Sequence, residues 1–320
     1  MNPDVINNNL QKIIRNVLSS ESSVTNTLMD ILPLGREAIY RRLRGEVPFS
    51  LYEASLIAKK LNLSLDVITD MDIEVDTFFK LEAQKFYDMQ DSDFLRINDL
   101  IDLLGLVSKE PMSQQVFIAN TFSEFPSHMF YSFVQYTSFR WTCLNSELVN
   151  IVPFHEMNFS EKMYMTSQEL VSNVMKIKDT SYIWDRSIFN SMVQEIKYFS
   201  SVNLIDEKSV KMLKTDLFRL LDYLEKIAET GEFETGNKVH LYIANISIGT
   251  KYYCLESENT NFSMIGAFAL DYVISKDKKA FEKTKSVIQY LKRVSSLISG
   301  CGEIERRDFF INQRKIVNTL

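Results

Sequence analysis

Between positions 36 and 44 the chain carries Arg36, Glu37, Tyr40, Arg41, Arg42 and Arg44, a concentration of groups suited to reading an anionic polymer. A guanidinium donates two parallel hydrogen bonds to guanine O6 and N7, a carboxylate accepts from cytosine N4, and each good bidentate contact discriminates by ~1–3 kcal/mol. Wound as a helix, the segment sets Ile39 and Leu43 within about 40° of each other and Glu37, Tyr40, Arg41 and Arg44 in an opposite arc of about 100°. Such a helix buries the first pair and presents the second set, with Arg36 in the first turn. On this reading Arg36, Glu37 and Arg41 are the candidate base contacts. Tyr40, Arg42, Arg44 and Ser50, with the free amides opening the helix after Ser50, are the candidate phosphate contacts. The plainer reading is a solvated face in which Glu37 and Arg41, four residues apart, form a surface ion pair of ~0.3–0.5 kcal/mol.

Elsewhere no constellation points to catalysis. His128, His155 and His240 are isolated, with no HExxH spacing, and Cys143, Cys254 and Cys301 are odd in number with no CxxC, which supports neither a disulfide framework nor a zinc site. There is no GxxxxGK[ST], GxGxxG or GxSxG segment. Gly300-Cys301-Gly302 reads as a helix end rather than a nucleophile turn. A serine and lysine pair could be drawn from many positions, but no spacing selects one. The expectation is a protein that is not an enzyme, with no catalytic residue, no metal ligand and no cofactor. Met1-Asn2-Pro3-Asp4 does not open a signal peptide, and the longest apolar stretch, Met264 to Ile274, is interrupted by Asp271, so a cytoplasmic protein with no membrane partner is expected.

The elements that must position the arginine-bearing segment follow from periodicity. Ile6, Leu10, Ile13, Ile14 and Val17 form a helical stripe over 5–18. Ser22 or Ser23 can cap a second helix through Leu28, Ile31 and Leu32, which Pro33 stops. Only Leu34 and Gly35 separate it from the helix of 36–44, which Gly45 ends. Ser50-Leu51-Tyr52-Glu53 is a capping box opening a fourth helix with Leu51, Ala54, Ile57, Ala58 and Leu61 inward. Ser64 then caps a short fifth helix.

Two helices joined by so short a turn, inside an all-helical unit of about 60 residues, have the layout of a helix-turn-helix DNA reader. The stretch from Leu28 through Leu34, Ile39, Gly45, Pro48, Ile57, Ala58 and Leu61 to Leu65 resembles, without gaps, the lambda-repressor-like (Cro/CI, XRE-type) helix-turn-helix family over about a fifth of the chain. The resemblance implies a DNA-binding head, with Arg36, Glu37 and Arg41 at the family's usual base-reading positions. It departs from the family pattern at Met29, where a small alanine is preferred, at Pro33, and at Gly35, where serine or threonine usually caps the recognition helix.

The net charge of −6 argues at first against nucleic acid, but it is an average over unlike segments. Residues 1–61 carry 8 basic and 6 acidic side chains, residues 62–102 carry 3 and 11, and the remainder balance. A slightly basic head therefore precedes an acidic connector and a neutral body.

The body is read from period and turn chemistry. Nine glycines and six prolines are too few for a sandwich or barrel that turns every 8–12 residues, so helices should dominate. Helices are expected over Phe94–Leu106, Ser127–Trp141 and Tyr182–Phe199. The aromatic run from Val116 to Trp141 is read as core, with a ligand pocket as the alternative. Val210, Leu213, Leu217, Leu220, Leu224 and Ile227 step by threes and fours between Asp206 and Gly231, a heptad seam open to either intramolecular packing or dimerisation. From Lys238 to Ile274 an antiparallel meander of three strands is expected, then a helix from Ser275 through Ile298 to Gly300 and a last one over Arg307–Val317.

The expected fold is mainly α with a small α+β C-terminal part and an N-terminal five-helix domain. It divides as 1–72 DNA-binding head, 73–110 acidic connector and helix, 111–237 helical domain and 238–320 α+β module. The expected function is sequence-specific transcriptional regulation: residues 36–44 in the major groove of double-stranded DNA, and a C-terminal region that forms a homodimer and takes a possible effector. The alternative is a peptide or small-ligand sensor whose head serves association, although no 34-residue repeat supports the peptide version.

Overall fold

The computed structural model describes residues 3–18, 21–61, 80–82, 91–121, 124–145, 151–267, 271–275 and 278–320. The chain forms two compact units, Met1–Asp76 and Thr77–Leu320.

In the N-terminal unit, α1 (Pro3–Val17), α2 (Glu21–Ile31), α3 (Arg36–Leu43) and α4 (Leu51–Leu61) are the helices among the described residues. The fifth, expected from Ser64, lies outside them. The apolar positions at three- and four-residue steps meet in one core of Leu10, Ile14, Val24, Leu28, Leu32, Ile39, Leu43, Ala54, Ile57 and Ala58. The capping box forms as its residues require: the Glu53 amide donates to Ser50 Oγ at 3.2 Å and the Ser50 amide to Glu53 Oε2 at 2.8 Å.

The C-terminal unit overturns the expected fold class. Among the described residues it is built on one mixed sheet of eight strands, β1 (Lys80–Glu82), β2 (Gln114–Ala119), β3 (Asp179–Trp184), β4 (Lys238–Ala244), β5 (Tyr252–Glu256), β6 (Asn261–Ala267), β7 (Asp271–Ser275) and β8 (Ser295–Leu297). Their order is β1-β7-β6-β5-β2-β3-β4-β8. The sheet is neither small nor confined to the C-terminus, and helices are spread along the whole chain: α5 (Asp91–Val107), α6 (Tyr131–Asn145), α7 (Glu161–Val174), α8 (Ile188–Ser201), α9 (Glu207–Thr230), α10 (Lys278–Arg293) and α11 (Glu303–Asn318). The division expected at 237/238 is crossed by the sheet itself, because β4 pairs in parallel with β3 from Asp179↔Lys238 to Trp184↔Ile243.

Two of the missed strands share a cause. β2 and β3 lie parallel in the middle of the sheet, and such strands, covered on both faces, lose the alternation that marks a strand in sequence. Thr180 to Trp184 are all buried, so Tyr182 and Ile183 merged with the real helical stripe of α8 into one expected helix. Val116 to Ala119 were likewise absorbed into the aromatic run. Most of that run is core: Phe133, Tyr136 and Phe139 of α6 are at most 1% exposed, whereas Tyr131 at the start of α6 is exposed. The expected three-strand meander is not formed as read: the stretch taken as one strand over Phe262–Ile274 is two, β6 and β7, and the antiparallel run is β5-β6-β7. β4 does not join it, being separated from β5 by β3 and β2.

The heptad seam of α9 resolves towards intramolecular packing. Leu213, Leu217, Leu220 and Leu224 are fully buried, with Ile227 at 2%, in the same core as Tyr182, Trp184, Val239 and Leu241. Asp206 caps the helix by accepting from the Ser209 amide at 3.0 Å. Gly231, left-handed at φ 72°, ends it. On the other face of the sheet Phe281, Ile288 and Leu291 of α10 pack on Ile118, Ile183, Ala244 and Cys254.

α10 stops at Arg293, short of the end expected at Gly300, because Ser295–Leu297 pair with β4. Gly300 therefore ends no helix. Gly302, at φ 66°, precedes α11, and a Cβ there would lie 2.5 Å from the Leu297 carbonyl oxygen, so this turn requires glycine. Among the described residues no helix is long and apolar enough to cross a membrane.

Candidate nucleic-acid interface

α3 is only eight residues long and buries Ile39 and Leu43. Their transfer from water contributes on the order of 1.5–3 kcal/mol each, and an isolated helix of this length is not stable in water. Its position is therefore set by what holds its ends. At the start, Gly35 is an extended N-cap with φ −71° and ψ 160° and no side-chain cap, reached through a turn in which the Leu34 amide donates to the Leu32 carbonyl at 2.7 Å. At the other end two side chains of α1 satisfy terminal carbonyls. Gln11 Nε2 donates to the Arg42 oxygen at 2.8 Å and Arg15 Nη2 to the Leu43 oxygen at 3.0 Å, the second placing a cation at the negative end of the helix dipole. Asn7 Oδ1 accepts from the Phe49 amide at 3.1 Å, fixing the loop that follows.

The expected contact residues separate into two kinds. Arg42 faces α4: its Nε and Nη2 donate to the two Glu53 carboxylate oxygens at 3.0 and 2.9 Å, and Nη1 to the Ala38 carbonyl at 3.2 Å. With its side chain only 17% exposed, Arg42 is a clamp between α3 and α4, and the assignment of Arg42 as a phosphate contact is corrected. Burial pushes the Glu53 carboxyl up, but the Arg42 guanidinium and the Ser50 amide outweigh it and hold the group below its ordinary value.

The remaining residues lie outward. Arg36, Glu37, Tyr40, Arg41 and Arg44 are all exposed, as the helical projection requires. Arg36 Nη2 donates to Asn26 Oδ1 of α2 at 3.2 Å. The Glu37–Arg41 pair of the plainer reading is replaced by another arrangement: Arg44 Nη2 lies 3.3 Å from Glu37 Oε1 and its Nε 2.7 Å from Glu46 Oε1, while Arg41 Nε lies 3.4 Å from Glu46 Oε2. Glu46, then Glu37, raise the affinity of Arg44 for its proton. All of these pairs are at least half open to solvent or nearly so, a setting in which an ion pair contributes little and exchanges readily.

Ser50 is exposed, but its amide and hydroxyl serve the capping box with Glu53. The next two amides, of Leu51 and Tyr52, have no acceptor within the helix, and both side chains are well exposed, so Leu51, expected inward, faces out because as the first residue of α4 it lies beyond the core. Met29 is itself exposed at 40%, so its bulk lies at the surface rather than in the core.

Asn7, Gln11 and Arg15 were not singled out from sequence, although the signal exists. They recur every four residues, a polar stripe beside the apolar one of Ile6, Leu10, Ile13, Ile14 and Val17. Glu53 was legible as a cap; its pairing with Arg42, eleven residues away, was not.

In the C-terminal unit the three histidines remain apart. His128 contacts Thr137 Oγ1 at 2.9 Å, His155 Glu156 at 3.6 Å and His240 Asp179 at 3.3 Å. No group of three or more His, Cys, Asp or Glu among the described residues is arranged to hold a metal ion. Among the described residues a serine and a lysine meet where Lys292 Nζ donates to Ser181 Oγ at 2.9 Å. Burial pushes the Lys292 ammonium down while Asp179 pulls it back up. Ser181 is 1% exposed and offers no hydroxyl to a substrate; the contact ties the last turn of α10 to β3.

Compared with protein-family models, with curated proteins and with solved structures, the chain matches none.

Proposed function

We propose that the chain is a sequence-specific DNA-binding transcriptional regulator that inserts α3 into the major groove. Arg36, Glu37 and Arg41 read base edges, and Tyr40, Arg44, Ser50 and the amides of Leu51 and Tyr52 grip phosphates. Arg42 takes no direct part. The observation that carries the reading is the division of α3 into an inner face sealed by Ile39, Leu43 and Arg42 and an outer face of exposed arginines and one glutamate. The likeness of residues 28–65 to lambda-repressor-like readers points the same way.

Such readers engage two half-sites about a helical turn apart, so the functional form is a homodimer. The α9 seam does not supply that pairing, because it is buried within the protomer. The surplus of basic groups over 1–61 is small, so affinity for arbitrary DNA is modest and depends strongly on salt.

The test is selection of bound duplexes from a random pool by the full chain, followed by titration across a salt series beside Arg41→Ala. A palindromic product is expected, and the variant should lose ~1–3 kcal/mol of discrimination at one base pair of each half-site. A uniform loss over all sequences would make Arg41 a phosphate contact. No binding to any duplex would end the DNA reading.

A further inference from the structure

We propose that Glu46 is a specificity-determining residue of this interface: a carboxylate, placed by its backbone on the outer face, that shares Arg41 and Arg44 with solvent and is given up without loss only at a cognate site. The inference rests on the DNA-binding reading above and concerns what limits binding to wrong sequences.

Glu46 is positioned rather than merely nearby. Its amide donates to the Arg41 carbonyl at 2.9 Å, directly after Arg44 and Gly45 have closed α3 through their own amides on the Tyr40 and Arg42 carbonyls. The backbone thus delivers the Glu46 side chain back along the outer face. There its two oxygens divide between two guanidinium groups, Oε1 on Arg44 Nε at 2.7 Å and Oε2 on Arg41 Nε at 3.4 Å. Arg42 takes no share of this carboxylate because Glu53 holds it on the inner side.

The consequence follows from how the two classes of DNA site compensate its displacement. Non-specific binding is driven by neutralising phosphates with cations. Two of the outward arginines of α3 arrive already paired, and the carboxylate they share repels the phosphates that would replace it. At a cognate site Arg41 exchanges Glu46 for two directed bonds to a guanine, which recovers the lost pair and adds geometry. At other sites nothing equivalent is gained. Specificity is a difference of affinities, and an opposing charge built into the interface enlarges it by weakening the wrong complexes more than the right one.

The experiment compares the full-length wild type with Glu46→Gln, binding both the selected operator and a random duplex over a salt series. Asp30→Asn, which removes one charge from the exposed surface of α2, serves as control. Glu46→Gln should bind the random duplex roughly three- to tenfold more tightly, with a salt slope steeper by about 1, and gain less on the operator, so that the specificity ratio falls. Because Glu46 is nearly half exposed, the melting temperature should not change. An unchanged or weaker affinity of Glu46→Gln for random duplex, with the wild type binding normally, overturns the role of Glu46 alone. An equal gain in Asp30→Asn also overturns it, reducing the effect to net charge. Binding by neither wild type nor variant overturns the DNA reading and this inference together, whereas binding by the variant alone supports both.

Discussion

α3 and α9 are both written in the same three- and four-residue spacing, yet the structure uses them in opposite ways. α9 runs 24 residues and turns Leu213, Leu217, Leu220, Leu221, Leu224 and Ile227 into the main core. Burial of that many large side chains is sufficient to fix it. α3 has eight residues and two buried apolar side chains, too few to hold a helix in place. It is held instead by directed polar ties, the fork of Arg42 on Glu53 and the donations of Gln11 and Arg15 to its last carbonyls. The teaching is that a helix free to offer most of its surface to a partner must be positioned by hydrogen bonds and charge, which respond to pH and salt, whereas a helix positioned by burial responds chiefly to lost volume.

The largest effect should come from the burial side. Leu217→Ala removes a fully buried side chain from the centre of α9 and should cost about 2–5 kcal/mol, the range reflecting how far the core can collapse. Chemical denaturation of the full chain reads the loss. DNA affinity measured where the chain is still folded should be unchanged. A large drop in affinity at constant folded fraction would mean that α9 and the interface are not independent in the way the comparison holds.

Next in size is the polar clamp. Arg42→Ala leaves the buried Glu53 carboxylate without its fork and should cost about 1–3 kcal/mol. It should also weaken DNA binding without altering which bases are preferred, because Arg42 acts through the placement of α3. Hydrogen exchange of the full chain localises the change to the amides of α3 and α4. Arg42→Lys, which keeps the charge but not the planar fork, should recover only part of it.

The same clamp has a pH signature. The Glu53 carboxyl titrates below its ordinary value of 4.5 in the folded chain, so its contribution is complete above that value and is lost as pH falls through the lower folded one. The difference in α3 protection between wild type and Glu53→Gln should therefore be largest near neutrality and shrink below about pH 4.5. A difference that grows towards acid would reverse the assigned sign.

The smallest effect tests the entry to α3. Gly35 is extended, with nothing within 4 Å of a Cβ placed on it, so glycine is not required there. Gly35→Ser should fit and accept from an amide of the first turn, adding a few tenths of a kcal/mol. A loss instead would mean that the turn between α2 and α3 is tighter than its dihedral angles indicate.

The residues that set local structure were legible in the sequence. The four described helices of the N-terminal unit, though α2 begins at Glu21 ahead of the expected cap, the capping box at Ser50, the caps of α9 at Asp206 and Gly231 and the outward set of Arg36, Glu37, Tyr40, Arg41 and Arg44 follow from spacing within one or two turns, where bonding partners are fixed by helix geometry. Three things were decided only by tertiary structure, each because the partner lies far along the chain. Whether Arg42 faces a phosphate or Glu53 depends on where α4 packs. Whether the α9 seam meets a second protomer or its own sheet depends on the strands it covers. And the sheet itself, with β3 paired to segments more than fifty residues away on either side, was hidden because burial on both faces erases the alternation by which a strand announces itself.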